Sequence, residues 1–390
     1  MKLKARLEDF VVRERYDLRG LSSDGRFTVY RVEKRNLSTI EAALRLAAAA
    51  RVPADAVRFA GLKDRRAVTE QTMSVEDAPP VEIDDEDLRA HAIGWSPRPI
   101  RSDRLEGNDF EIVARDLTRE EAAILRAGLD EVVKHGLPSY FDDQRFGAAR
   151  AGKGWPALEV LRGRHDEALR LLVAVPSAID GPEHAERKKS LAAAWGDWPR
   201  CAALARGWHE RSTFEHLERH AGDFAGALRF VPRRERVLQL FAWQSRVWNG
   251  ALDALVRARV DSARRCEIET EMGNLAAWRR LEPAELARLE AIDLRLPDRR
   301  TRPSDPEVAA ALTASLARDG LALDDLGAPT VRGFQLREER RPCVLRPTAL
   351  ASDDPVADEL HPGRLRVAVR LSLPRGAYAT LVMKRAIARS

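Results

Sequence analysis

Phe59-Ala60-Gly61-Leu62-Lys63-Asp64-Arg65-Arg66-Ala67-Val68-Thr69-Glu70-Gln71 sets one carboxylate among three cations, directly after an apolar approach. An aspartate flanked by Lys and Arg is an anion at neutral pH, so Asp64 can serve as nucleophile or base. The same cations can hold an RNA phosphate beside it through charge-assisted hydrogen bonds. Charge pattern alone fits an ordinary solvated turn equally well, so the flanking sequence has to decide.

Upstream, Arg26-Phe27-Thr28-Val29-Tyr30-Arg31-Val32-Glu33-Lys34 alternates apolar and polar side chains after a Ser-Asp-Gly turn, the pattern of a half-buried strand. Ser38 with Glu41 forms a capping box, and the Ala/Leu-rich run to about Ala50 predicts a helix. Downstream, Asp84-Asp85-Glu86-Asp87 reads as a helix N-terminus, where carboxylates offset the dipole, in preference to a metal site. Phe110, Ile112 and Ala114 alternate in a second strand that stops at Asp116. Thr118 and Glu121 then open a helix that Gly136-Leu137-Pro138 ends. Strand, helix, strand, helix describes an α/β or α+β domain. Leu365, Val367, Val369, Leu371 and Leu373 return to period two near the C-terminus. From about Ala151 to Gly320 the chain instead carries charged, Leu/Ala-rich helical patterns broken at Pro176, Gly181-Pro182, Pro232, Pro303 and Pro306. The two ends therefore read as one sheet domain, 1–150 with 336–390, interrupted by a mainly helical insertion, 151–335.

Composition sets limits on function. A chain of 390 residues with 44% apolar content can build two or three domains with real cores. The N-terminus has charge but no apolar signal region, and no apolar run approaches the roughly 20 residues that span a bilayer. A cytoplasmic protein without a membrane partner is expected. Cys201, Cys266 and Cys343 are scattered and odd in number, which leaves no disulfide framework and no Cys-x-x-Cys site. Net charge is +5, but 57 of the 66 basic residues are Arg, an excess that a GC-rich genome produces without any RNA partner. Arg65, Arg66, Arg145 and Arg150 are more telling, because they fall in or beside the motifs below and imply a basic cleft around Asp64. His216 and His220 stand four apart on one helix face, yet Glu218 is one position late for a zinc-protease motif and no third ligand follows. No metal is expected there. No phosphate-loop or dinucleotide glycine pattern occurs, so no small-molecule cofactor is expected either.

The opening run resembles the signature of the TruD family of RNA pseudouridine synthases, Ala-Gly-x-Lys-Asp-x-x-Ala-x-Thr-x-Gln, at every fixed position. Further likenesses follow in order along nearly the whole chain. Lys4-Ala5 with Glu8-Asp9-Phe10-Val11-Val12 resembles the family's N-terminal segment, and Gly107-Asn108-Asp109-Phe110 its Gly-Asn-x-Phe element. Tyr140-Phe141-Asp142-Asp143-Gln144-Arg145-Phe146-Gly147 resembles the third motif, with Ser139 in place of Asn and Asp142 in place of Gly. Gln244-Ser245-Arg246-Val247-Trp248-Asn249 resembles the family's Gln-Ser helix. Leu373-Pro374-Arg375-Gly376-Ala377-Tyr378-Ala379-Thr380 resembles its C-terminal motif, with Ala377 replacing Ser. The helical stretch from 155 to 235 looks more like the archaeal and eukaryotic members than the compact bacterial ones.

The resemblance implies an α+β protein: a pseudouridine-synthase catalytic domain with a mixed, mainly antiparallel sheet, interrupted by the insertion particular to the family. It implies an isomerase acting on tRNA, most often at uridine 13, with Asp64 as catalytic carboxylate. Lys4 is expected to pair with Asp64, and Phe110 to stack on the target base, although an aromatic on a strand is more often core. Asn108, on the same strand face, would order the loop or touch RNA. Lys63 would bind substrate, and Gln144 and Arg145 would brace the wall of the site. Ser245, Trp248 and Asn249 are expected to pack between domains. The rivals are a pseudouridine synthase for another RNA, a non-catalytic RNA-binding protein, and a structural protein. Oligomeric state has no signature in the sequence.

Overall fold

The computed structural model describes residues 1–147, 154–177, 180–327 and 331–388. The chain divides into two compact units, Met1–Gly136 with Arg346–Ile387, and Leu137–Leu345 with Ala388.

The first unit runs β1 (Phe10–Tyr16), β2 (Phe27–Arg35), α1 (Thr39–Ala50), β3 (Val57–Phe59), β4 (Val68–Glu76), β5 (Ile83–Asp84), β6 (Leu88–Ser96), β7 (Leu105–Leu117) and α2 (Arg119–His135). The C-terminal residues add strands Thr348–Ser352, Val356–Ala357 and Leu365–Pro374 and a helix, Ala379–Ala386. Among the described residues ten strands form one sheet. Its main path is Thr348–Ser352, Leu365–Pro374, β7, β1, β4, β2, β6, β5. The β1–β4 pairing is parallel and the others are antiparallel, so the sheet is mixed and mainly antiparallel.

Register explains why one face of this sheet is apolar. Val12 pairs with Phe110 on β7 and with Thr69 on β4, and Thr69 pairs with Lys34 on β2, which puts all four on the same face. Helix α1 covers one half of that face, packing Ala43, Leu46 and Ala47 against Tyr30, Val32, Met73 and Leu88. Both predicted capping boxes form: Ser38 Oγ accepts from the Glu41 amide at 3.1 Å, and Thr118 Oγ1 from that of Glu121 at 3.0 Å. Helix α2 covers the other half, over β7 and Leu365–Pro374, and the C-terminal helix packs on α2. They cross so closely that a Cβ at Gly128 would meet the Ala386 carbonyl oxygen at 1.9 Å. The opposite face carries polar pairs such as Arg13–Glu111 (2.5 Å), with Phe27 and Val29 of β2 buried on it.

The acidic run departs from its expected helix. Asp85, Glu86 and Asp87 form the tight turn between β5 and β6, and Arg45 of α1 pairs with Asp85 and Asp87. Leu88, Ala90 and Ala92 alternate with Arg89 and His91, and that period of two overrides the helix-like charge.

The second unit is mainly helical, built around the 27-residue helix Arg233–Arg259 with Trp243 and Trp248 fully buried. Helices Pro156–Leu161, His165–Val173, Pro182–Ala193, Trp198–Leu204 and Gly207–Arg219 precede it. A hairpin, Arg265–Thr270 with Gly273–Trp278, and helices Pro283–Glu290 and Pro306–Ala317 follow. The unit starts at Leu137 and ends at Leu345, wider than the expected 151–335, because Leu137–Pro138 pairs antiparallel with Val344–Leu345. All three cysteines are buried. Among the described residues no helix is long and apolar enough to cross a membrane.

Candidate active site

Asp64 lies in the loop between β3 and β4, and neighbouring elements of the first unit fix that loop atom by atom. Lys34, an inward residue of β2 with no exposed surface, donates from Nζ to the Asp64 carbonyl and to the Leu37 carbonyl, each at 2.7 Å. Thr39, at the start of α1, accepts from the Lys63 amide at 2.9 Å and donates to Gln71 Oε1 at 2.9 Å. Gln71 in turn donates to the Gly61 carbonyl at 3.4 Å. Lys63 Nζ meets Glu14 Oε2 of β1 at 2.5 Å, with both side chains almost fully buried. Glu14 also accepts from the Thr72 amide at 3.2 Å. The loop is thus held by β1, β2, β4 and α1 together.

The Asp64 carboxylate meets a lysine that itself lies over an aromatic ring. Lys4 Nζ donates to Asp64 Oδ2 at 2.8 Å, with the side chains 27% and 16% exposed. The same ammonium lies 3.9 Å from the centroid of Phe10, and Phe10 meets Phe110 edge-on with centroids 6.1 Å apart. Lys4 adopts φ +60°, a left-handed conformation that costs an L-residue about 1–2 kcal/mol. The segment bearing it is tied to β7. Lys2 exchanges backbone hydrogen bonds with Arg115, and Arg115 Nε binds the Asp9 carboxylate at 2.8 and 2.9 Å. Burial works against the charge of Arg115. Its bonds to Glu359, Asp9 and Asp358 outweigh that and raise its pKa above the ordinary arginine value. Burial also pushes the Lys34 ammonium down to about 8, partly offset by the Asp64 charge.

Lys4 pairs with Asp64, and Phe110 is linked to that pair through Phe10. Phe110 is 8% exposed, so the strand and the site share its ring. Asn108 stands two residues away on the same face, paired with Glu14 and Leu373. Gly107 is required there because a Cβ would lie 2.1 Å from the Leu373 carbonyl oxygen. Lys63 departs from its expected contact with substrate, since the ion pair with Glu14 turns it inward. Arg65 is exposed and 3.7 Å from Glu41, while Arg66 is exposed and pairs with no carboxylate among the described residues.

Gln144 and Arg145 belong to the second unit, in the short turn Asp143–Arg145. Arg145 donates to Ser245 Oγ at 3.1 Å and lies 5.2 Å from the ring centroids of both Phe141 and Phe241. Arg150 lies outside the described residues. Ser245, Trp248 and Asn249, expected to pack between domains, bond within the second unit instead. Ser245 binds Phe241, Trp248 the Leu294 carbonyl, and Asn249 both backbone groups of Phe141. His216 is engaged with Asp223 at 2.8 Å. Lys34 and Glu14 were missed by sequence reasoning, although each puts a charge at an inward position of an alternating strand.

The family profile described as tRNA pseudouridine synthase D (TruD) matches residues 1–386. The probable tRNA pseudouridine synthase D 1 of Methanococcus maripaludis is 26% identical over 390 residues, covering 99% of each chain. The tRNA pseudouridine synthase D of Leptospira interrogans is 25% identical over 403 residues, covering 100% of this chain and 96% of its own. The crystal structure of a candidate tRNA pseudouridine synthase D from Methanosarcina mazei superposes with a TM-score of 0.71 at 24% identity, over 99% of this chain and 93% of its own, and supports the fold. With a profile match over almost its full length, the chain belongs to the TruD family of tRNA pseudouridine synthases.

Proposed function

We propose that the protein isomerises uridine to pseudouridine in tRNA, with Asp64 as the catalytic carboxylate and uridine 13 as the target. The observation that carries this reading is the 2.8 Å pair between Lys4 and Asp64, set against Phe10 and Phe110 on a loop anchored by four elements.

The reaction breaks the bond from N1 to C1′, turns the uracil and forms a bond from C5 to C1′, while C5 gives up a proton and N1 gains one. Electrons balance within the substrate. The base must first leave its stack, and one fragment must be held while the other turns. A carboxylate can add to C1′, add to C6 of the base, or assist elimination at the sugar, and in each route it must be anionic when uridine arrives. Lys4 aims the carboxylate. Fixing the backbone of Gly61, Lys63 and Asp64 before substrate binds removes motion that would otherwise oppose the reaction.

Phe110 offers the margin of its ring to the flipped base, a contact worth about 1–3 kcal/mol. Asn108 flanks it on the same strand. Arg65 and Arg66 are available for phosphates, and Lys63 acts through Glu14 as a positioning residue. Gln144 and Arg145 support the motif of the second unit, which we assign to gripping the folded RNA. This work takes place in the cytoplasm with tRNA as partner.

Removing the gene from its host and mapping pseudouridine across all tRNAs tests the assignment. Loss at uridine 13 supports it. An unchanged tRNA profile with a loss in ribosomal or messenger RNA overturns the substrate and keeps the chemistry.

A further inference from the structure

The helical unit carries an aromatic that its own packing does not explain. Trp208 is 68% exposed, whereas every other tryptophan is buried or half-buried. It is the second residue of helix Gly207–Arg219 and stands edge-on to His209 (4.8 Å) and Phe230 (6.3 Å). Beside it opens a cavity of about 260 Å³ whose walls include His184, Lys188, His209, Val231 and Glu235. Small-molecule sites run to about 300–1,000 Å³, so this volume suits one planar base with its sugar and phosphates outside.

The charge around the cavity favours an anionic chain. Three helices, Pro182–Ala193, Gly207–Arg219 and Arg233–Arg259, contribute first-turn residues to its wall. Each helix start carries partial positive charge. Arg211, one turn along from Trp208, and Arg233 and Arg234 are exposed, and none pairs with a carboxylate among the described residues. Of the nearby acids, Glu210 pairs with Arg187, Glu183 with Arg206 and Asp180 with Lys188, and Glu235 is one further carboxylate in the wall. An exposed flat ring with such arginines on its own helix and at the start of another helix that lines the cavity is the chemistry that grips single-stranded nucleic acid.

We propose that this cavity is a docking subsite for the RNA substrate, in which an unpaired base stacks on Trp208 while its flanking phosphates meet Arg211, Arg233 and Arg234. The proposal rests on the reading of the protein as a tRNA-modifying enzyme. It places this contact on the second unit, apart from Asp64 and its loop on the first.

The test uses the full chain, measuring tRNA binding over a range of salt and single-turnover isomerisation at saturating enzyme. Trp208→Ala should raise the Kd for tRNA about 5- to 100-fold and leave the saturated rate unchanged, with Trp208→Phe recovering most of the affinity. Arg233→Ala with Arg234→Ala should weaken binding and flatten the slope of log K against log salt by about 1 to 2. A Kd within twofold of wild type for Trp208→Ala overturns the subsite and leaves the ring to a protein partner. A drop in the saturated rate that matches the loss of affinity also overturns it. If wild type binds tRNA without isomerising it, the enzymatic reading falls while the Trp208→Ala comparison still decides the subsite. If wild type binds no tRNA, both fall.

Discussion

Replacing Lys34 by Met separates the two consequences of burying an ammonium under Asp64. Burial holds the Lys34 pKa at about 8 against an ordinary 10.5, which at 1.36 kcal/mol per decade is a cost of about 3 kcal/mol for keeping the charge at neutral pH. Methionine removes that cost, but it strands the Leu37 and Asp64 carbonyls, at about 1–3 kcal/mol each. At pH 7 the two effects largely cancel, and Lys34→Met should differ little from wild type in stability.

The difference should then depend on pH with a definite sign. Below about pH 8 Lys34 is protonated in both the folded and the unfolded chain, so the cost is constant. Between about 8 and 10.5 the unfolded chain binds more protons than the folded one, and wild-type stability rises with pH by up to about 3 kcal/mol relative to the variant. Hydrogen exchange of β2 and β4 amides in both proteins, from pH 7 to 10, measures this within the first unit. A gap that stays flat or shrinks as pH rises refutes the argument. In single-turnover assays the variant should be slower by about 10²-fold, because the Asp64 backbone has lost its anchor. An unchanged rate would show that β1, β4 and α1 suffice to hold the loop.

Asp64→Asn should remove isomerisation while leaving fold and tRNA affinity nearly intact. Turnover within about tenfold of wild type, a barrier change of only ~1.4 kcal/mol, would take Asp64 out of the mechanism. Phe110→Ala should lower activity far more than Phe110→Tyr, which keeps the ring. If thermal melts show that Ala loses only stability and the folded fraction turns over normally, Phe110 is simply core. Glu14→Gln should destabilise the first unit by about 3–5 kcal/mol by leaving Lys63 buried without its partner. Adding Lys63→Met should recover most of that loss, and a double variant no better than the single would mean that the pair is not the cause.

Sequence reasoning reached the fold wherever local chemistry and tertiary packing agree. The Ser38 and Thr118 capping boxes, the alternation of Phe27–Arg35 and the period-two run at Leu365–Leu373 each satisfy their own backbone and point one face inward. Reasoning failed where a partner distant in sequence sets the outcome. The charges of Asp85 and Asp87 resemble a helix start only until Arg45, some 40 residues away, is seen to bind them at a hairpin turn. The insertion boundary moved because Leu137–Pro138 finds Val344–Leu345, a pairing without local signal. Within the site, Lys4, Asp64 and Phe110 were legible from motifs. The inward turn of Lys63 was not, because it depends on Glu14, a residue whose position marks it only once the strand's parity is known.

The use of lysine around Asp64 has a physical reason. Of 66 basic residues only nine are Lys, yet three of them, Lys4, Lys34 and Lys63, meet at this one loop. Each does something a guanidinium does poorly. Lys34 fits a compact ammonium between two carbonyl oxygens without exposed surface, where a planar fork with five donors would leave several unsatisfied. Lys63 makes a single buried contact with Glu14. Lys4 sets a point charge against both the Asp64 oxygen and the Phe10 ring. Lysine can also shed its proton when desolvated, as the depressed pKa of Lys34 shows, whereas arginine would keep its charge in the same place. Arg65 and Arg66 beside the loop are exposed, where a guanidinium can make bidentate contact, and the buried Arg115 uses its five donors on three carboxylates. At this one loop, then, the buried and half-buried bases are lysines and the exposed ones, Arg65 and Arg66, are arginines.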